Sequence, residues 1–121
     1  MFRVIIAGTR DFNDYDLLSK HADRMLSNVV DDIEIVSGGA KGADALGERY
    51  AQQKGYNVKR FPADWAKYGR RAGPMRNAEM AKYADALIAY WDGKSKGTKS
   101  MIDLATKEGL KVRVKIYGQE E

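Results

Sequence analysis

Ile33-Glu34-Ile35-Val36-Ser37-Gly38-Gly39-Ala40-Lys41-Gly42-Ala43-Asp44 carries more structural information than any other stretch of this chain. Its first four residues are mostly β-branched and apolar, the mark of a short buried strand when turn residues follow. Three glycines come next, and a helical pattern over Ala43–Lys54 begins at once and stops at Gly55, a good C-cap. Glycines between a strand and a helix let the backbone approach a ligand closely, because no side chain intervenes. The helix start behind them offers unpaired N–H groups and the positive end of the dipole, which suits phosphate or carboxylate. The same residues also make an ordinary tight βα turn. The motif is not a P-loop, since no Gly-Lys-Ser/Thr closes it, and it is not the GxGxxG fingerprint, which would follow the first strand.

The same alternation extends in both directions. Upstream, residues 2–7 read as a buried strand, followed by a polar loop and a helix over 14–28. Asn13 or Asp14 is its N-cap, and Leu17, Leu18, Ala22, Met25, Leu26 and Val29 form its apolar face. Downstream come a strand over 56–61 ended by Pro62, an irregular connection over 63–75, a short helix over 76–83 and a strand over 84–90. A helix over 98–108 and a last strand over 111–117, alternating charged and apolar residues like an edge, complete the series. Residues 118–121 are expected to fray. Alternating strands and helices of this length require right-handed crossovers and a parallel sheet, so the expected class is α/β, one domain over 1–121. In such sheets ligands sit outside the carboxyl ends of the strands.

The chain has 121 residues, no cysteine and a single histidine. That composition excludes disulfides, a thiol nucleophile, a zinc finger and a histidine-based metal cluster, so no metal is expected. The net charge of +4 is modest, but many cations stand beside glycines at strand ends. The apolar N-terminal run is too short for a signal-peptide core or a membrane span, and a cytoplasmic location with no membrane partner is the expectation.

Four loops carry the candidate chemistry. Gly8, Thr9 and Arg10 follow the first strand; the alternative for Arg10 is a turn in which it pairs with Asp11 or Asp14. Ser37, Gly38, Gly39, Lys41, Gly42 and Asp44 follow the second, and Asp44 is the best-placed acid for a sugar hydroxyl. Gly73-Pro74-Met75-Arg76-Asn77 opens the helix before the fourth strand; Arg76 presents a planar fork suited to phosphate, and Asn77 reads a ligand or caps the helix. Asp92, Ser95, Gly97 and Thr98 lie in the loop after the fourth strand, with lysines around them. Trp65 and Tyr68 offer stacking faces, although aromatics under a long connection more often form satellite core. His21 lies mid-helix, away from these loops, in a surface or packing role.

Taken together, Ile6-Ala7-Gly8-Thr9-Arg10, the 37–44 turn, Gly73-Pro74-Met75-Arg76-Asn77, and Asp92-Gly93 with Gly97-Thr98 resemble the YspA-like, YpsA-related branch of the SLOG superfamily. That superfamily also groups the Smf/DprA proteins and the lonely-guy phosphoribohydrolases. The resemblance implies a Rossmann-like three-layer sandwich with a mostly parallel five-stranded sheet, carried by bacteria or phages. It further implies a nucleotide or nucleotide-derived ligand, NAD- or ADP-ribose-like in some members; beyond that ligand no cofactor is singled out. The lonely-guy enzymes cleave N-glycosidic bonds with an arginine and a glutamate that closely follows a Gly-Gly-x-Gly-Thr motif. Arg76 stands for the arginine, but Lys99, Ser100 and Met101 occupy the positions after Gly97-Thr98, and the next carboxylate is Asp103, about one turn on.

Three functions follow. The first is a sensor or sequestering module for a nucleotide derivative. The second is an N-glycosidic hydrolase, for which Asp44, Asp92 or Asp103 supplies the carboxylate and Arg76 the phosphate contact. The third is single-stranded nucleic-acid binding, which the modest charge disfavours. The resemblance also raises a homodimer or higher oligomer, with Met25, Tyr83 and Met101 on helix faces left for a partner.

Overall fold

A computed structural model describes residues 1–118, and of the tail expected over 118–121, residues 119–121 lie outside the described residues. The strands are β1 (Phe2–Gly8), β2 (Ile33–Ser37), β3 (Asn57–Arg60), β4 (Ala86–Trp91) and β5 (Lys111–Ile116). The helices are α1 (Tyr15–Leu26), α2 (Ala43–Lys54), α3 (Trp65–Tyr68), α4 (Ala72–Tyr83) and α5 (Lys96–Lys107), with a 3₁₀ turn at Gly69–Arg71. The five strands form one sheet in the order β3-β2-β1-β4-β5, and each neighbouring pair is parallel.

Side-chain alternation along β1 builds two cores. Val4 and Ile6 pack with Leu18, Ala22 and Leu26 of α1 and Tyr50 and Ala51 of α2. Ile5 and Ala7 pack with Met80 and Ala81 of α4 and Met101 and Ala105 of α5 on the opposite face. The result is the Rossmann-like three-layer sandwich. Gly47 faces Ile6 so closely that a Cβ there would lie 2.7 Å from the isoleucine Cγ2, which lets α2 settle onto the sheet. α1 is capped by Asp14, whose carboxylate accepts the Leu17 N–H at 3.0 Å.

Three local expectations are corrected. Most of the stretch over 63–75 is helical, and α4 begins at Ala72, so Gly73 and Pro74 lie inside its first turn. Proline is tolerated there because first-turn N–H groups have no intrahelical acceptor. α5 begins two residues earlier than expected, because the Ser95 hydroxyl accepts the Thr98 N–H and serves as N-cap. Of the residues reserved for a partner, Met101 is 2 % exposed and belongs to the core. Tyr83 packs on Phe61 and donates its hydroxyl to Glu34. Met25 is 38 % exposed rather than part of the buried face of α1. Among the described residues, no helix is long and apolar enough to cross a membrane.

Candidate functional site

β2 and β3 lie on one side of β1, β4 and β5 on the other, so the connections diverge between β1 and β4. That is the switch point where loops part and a crevice opens above the strand ends. A cleft of about 450 Å³ occupies this place, lined by Gly8, Thr9, Arg10, Asp44, Arg76, Asn77, Ser95, Gly97 and Thr98 among others. A second cleft of about 690 Å³ adjoins it above the ends of β2 and β3, lined by Gly38, Gly39, Lys41 and Arg60. Arg10, Ala40, Trp65 and Arg76 line both and form the ridge between them.

Close backbone approach creates the inner cleft. A Cβ on Gly8 would stand 2.1 Å from the Tyr90 carbonyl oxygen, so only glycine can end β1 here. Thr9 is buried and knits three segments together. Its N–H donates to the Tyr90 carbonyl at 3.0 Å, its hydroxyl accepts the Asp92 N–H at 3.1 Å, and its carbonyl accepts the Ala43 N–H at 3.3 Å. Gly42, at φ 77°, brings the start of α2 against this loop; a Cβ would lie 2.4 Å from the Thr9 carbonyl oxygen.

Asp44 and Arg76 are the electrostatic centre. Asp44 is 5 % exposed, and its Oδ2 accepts the Ala40 N–H at 3.3 Å. Burial pushes its carboxyl up to about 6, with the Ala40 N–H and the Arg76 charge pulling the other way. Arg76 donates from Nη1 to the Gly38 carbonyl and from Nε to Asn77 Oδ1 at 3.0 Å. Burial lowers its guanidinium pKa from the ordinary value, Asp44 opposes that shift, and nearby Arg10 adds to it. Gly38 makes room for both groups, since a Cβ would fall 2.7 Å from Arg76 Nη1 and 2.8 Å from Asp44 Oδ2. Asn77 is buried and extends the chain of contacts to the Gly97 carbonyl, at a long 3.5 Å.

Several candidates serve the loops rather than the clefts. Ser37 is fully buried, donates to Glu48 at 2.7 Å and accepts the Gly39 N–H at 3.0 Å. The Asp92 carboxylate accepts the N–H groups of Lys94 and Ser95, each at 2.8 Å, which folds the β4–α5 turn. Asp103 is exposed on α5 in an ion pair with Lys99 at 2.8 Å, outside the lining of both clefts. The expected amide cradle behind Gly38 is largely spent: Gly39, Ala40 and Ala43 donate to Ser37, Asp44 and Thr9. Anion contacts in that region therefore fall to side chains, namely Arg10, Lys41 and Arg76. At α5 the Thr98 N–H goes to Ser95, while the Lys96 and Gly97 amides are first-turn groups with no intrahelical acceptor.

One cation on the lining, Arg60, was not singled out from the sequence. Arg60 ends β3, and its Nε and Nη2 both donate to Glu48 Oε1, at 2.9 and 2.7 Å. A cation at a strand's carboxyl end was its available signal. Of the two aromatics that offer either stacking faces or satellite core, Trp65 is 49 % exposed on the ridge, its ring edge over Gly73. Tyr68 lines neither cleft, and Lys67 sits over its ring. Among the described residues, no group of three or more histidine, cysteine or acidic side chains is placed to hold a metal.

The 67-residue segment from residue 2 to residue 68, which holds the first two of the four candidate loops, matches the family described as YspA, cpYpsA-related SLOG. The chain belongs to this family. The chain is also similar to the Gene 61 protein of Mycobacterium phage D29, to which it is 37 % identical over 122 aligned positions. That alignment covers 93 % of this chain and 94 % of the phage protein. DNA processing protein A of Streptococcus pneumoniae shares the fold, with a TM-score of 0.70 at 19 % identity. The match covers 93 % of this SLOG chain and 49 % of the pneumococcal one, so the chain spans about half the length of that protein.

Proposed function

We propose that this SLOG protein binds a nucleotide or nucleotide derivative, NAD- or ADP-ribose-like, at the ends of β1 and β4, acting as a sensor or sequestering module. The observation that carries this reading is the half-buried Arg76, set beside a buried acid at the point where strand order reverses. Arg76 keeps Nη2 for a phosphoryl oxygen, the first turn of α5 lines the same cleft at Gly97 and Thr98, and the Trp65 ring offers an apolar face to a base. Native mass spectrometry and thermal shift against AMP, ADP-ribose and NAD test it, since a ligand of the folded state raises Tm by mass action. Binding should also change the fluorescence of Trp65, and Trp65→Phe should remove that change. A folded sample that shifts with none of these nucleotides overturns the proposal.

Asp44 favours a second reading, N-glycosidic hydrolysis. The bond breaks through an oxocarbenium-like species, with a proton given to the departing base and water activated by a carboxylate. A carboxyl titrating at about 6 inside the cleft suits that exchange, whereas Asp103 lies outside it. Release of free base from a nucleoside monophosphate, lost in Asp44→Asn while binding persists, is the expected result. No base released by the native protein excludes this second activity.

A further inference from the structure

The inner cleft does not account for the charge around it. The outer cleft over β2 and β3 has four cations on its lining: Arg10, Lys41, Arg60 and Arg76. Among the described residues, neither Arg10 nor Lys41 has an ion-pair partner, and both are exposed. Arg60 is held at the mouth by Glu48, itself fixed from behind by the Ser37 hydroxyl, and this leaves its Nη1 for another acceptor. Arg10 is close enough for its charge to act on Arg76, and Asp44, the acid beside Arg76, is buried and lines the inner cleft alone of the two. Like charges converging on a cavity cost energy unless an anion enters between them. Each cleft falls within the size of a whole small-ligand site, of order 300–1,000 Å³, and they meet at one ridge.

We infer that the outer cleft is a second anion subsite, and that the ligand contains a nucleoside 5′-diphosphate unit, free or esterified, with one phosphoryl group on each side of the Arg10–Arg76 ridge. This rests on the nucleotide reading of the inner cleft. The first phosphoryl group meets Arg76 and the start of α5; the second meets Lys41 and Arg60, with Arg10 able to reach either. The half-exposed Trp65 on the ridge gives the diphosphate an apolar wall and the base or second sugar a stacking surface.

Calorimetric titration of the full chain with AMP, ADP and ADP-ribose tests this, using the native protein, Lys41→Gln and the double variant Lys41→Gln/Arg60→Gln. ADP, ADP-ribose or both should bind at least tenfold more tightly than AMP, because charge-assisted contacts to the second phosphoryl group are then made. A gain for ADP alone identifies a free terminal phosphate, and a gain for ADP-ribose an esterified one. Lys41→Gln should erase about tenfold of that gain and the double variant most of it, the ratio of diphosphate to AMP affinity being the quantity read. Lys41 is exposed and has no ion-pair partner among the described residues, so its replacement leaves the fold intact, and the native comparison stands without any variant. AMP binding as tightly as both diphosphates, or weakened equally by Lys41→Gln, overturns the second subsite while leaving the nucleotide reading standing. No binding by any of the three overturns that reading and this inference together.

Discussion

Asp44 at the first turn of α2 holds its proton more tightly in the folded chain than in the unfolded one, from an ordinary 3.8 up to about 6. A raised carboxyl pKa gives a stability contribution that is complete below about pH 4 and lost as pH rises through 6. The size is roughly 3 kcal/mol, by the rule of about 1.4 kcal/mol per unit. Asp44→Asn keeps an oxygen for the Ala40 N–H and removes the titration. Urea midpoints measured from pH 4 to 7 should therefore fall in the native protein relative to the variant, and parallel profiles would refute this. Under the proposed function the same proton should govern anion binding, because an ionised Asp44 repels phosphate and offsets Arg76. ADP-ribose has no phosphate group titrating in this window, so its affinity should rise as pH falls through about 6, and Asp44→Asn should flatten that dependence.

At the level of elements, the 37–44 turn joins β2 to α2 through glycines with different duties. Gly39 has φ 74° and open space around its Cβ position, whereas Gly42 has φ 77° and the backbone of residues 9 and 10 within contact. Gly39→Ala meets only conformational strain, about 1 kcal/mol. Gly42→Ala meets that strain and an overlap with two carbonyl groups that cannot swing aside, and should cost about 3 kcal/mol or more. Urea unfolding of the two variants reads the difference directly; equal losses would mean that α2 tolerates displacement from the β1 loop. The other cleft wall depends on the Ser95 cap. Ser95→Ala removes the acceptor for the Thr98 N–H and should lower stability by about 1 kcal/mol. Ligand affinity should fall with it if the first turn of α5 contacts phosphate, which titration of the variant with ADP-ribose would reveal.

Across the whole molecule, stability should grade outward from β1. β1 is paired on both sides and Val4, Ile5 and Ile6 are fully buried, while β3 and β5 are edges with mostly exposed side chains. Amide exchange should be slowest in β1 and β4 and faster in β3 and β5, with nucleotide adding protection on both sides of the β1–β4 crevice. The alternation that produced this sheet could be read without coordinates, because hydrophobic period, helix stops and glycine turns are properties of a few neighbouring residues. α2 and its Gly55 cap fall where they were expected, and Gly8, Arg10, Asp44 and Arg76 do converge. Side-chain duty was less legible. Ser37 and Asp92 have the composition of ligand contacts but hold their own turns together, Ser37 donating besides to Glu48, and Asp103 turns outward to Lys99. Arg60 and Trp65 join the clefts because parallel pairing brings the end of β3 beside the 37–41 turn. From its residues alone the chain declared the α/β order and where its backbone must stay bare. Strand order, and with it the company each charged group keeps, came from contacts such as Thr9 with Asp92, 83 positions apart. Such pairings answer to the packing of the whole core, which no local pattern encodes.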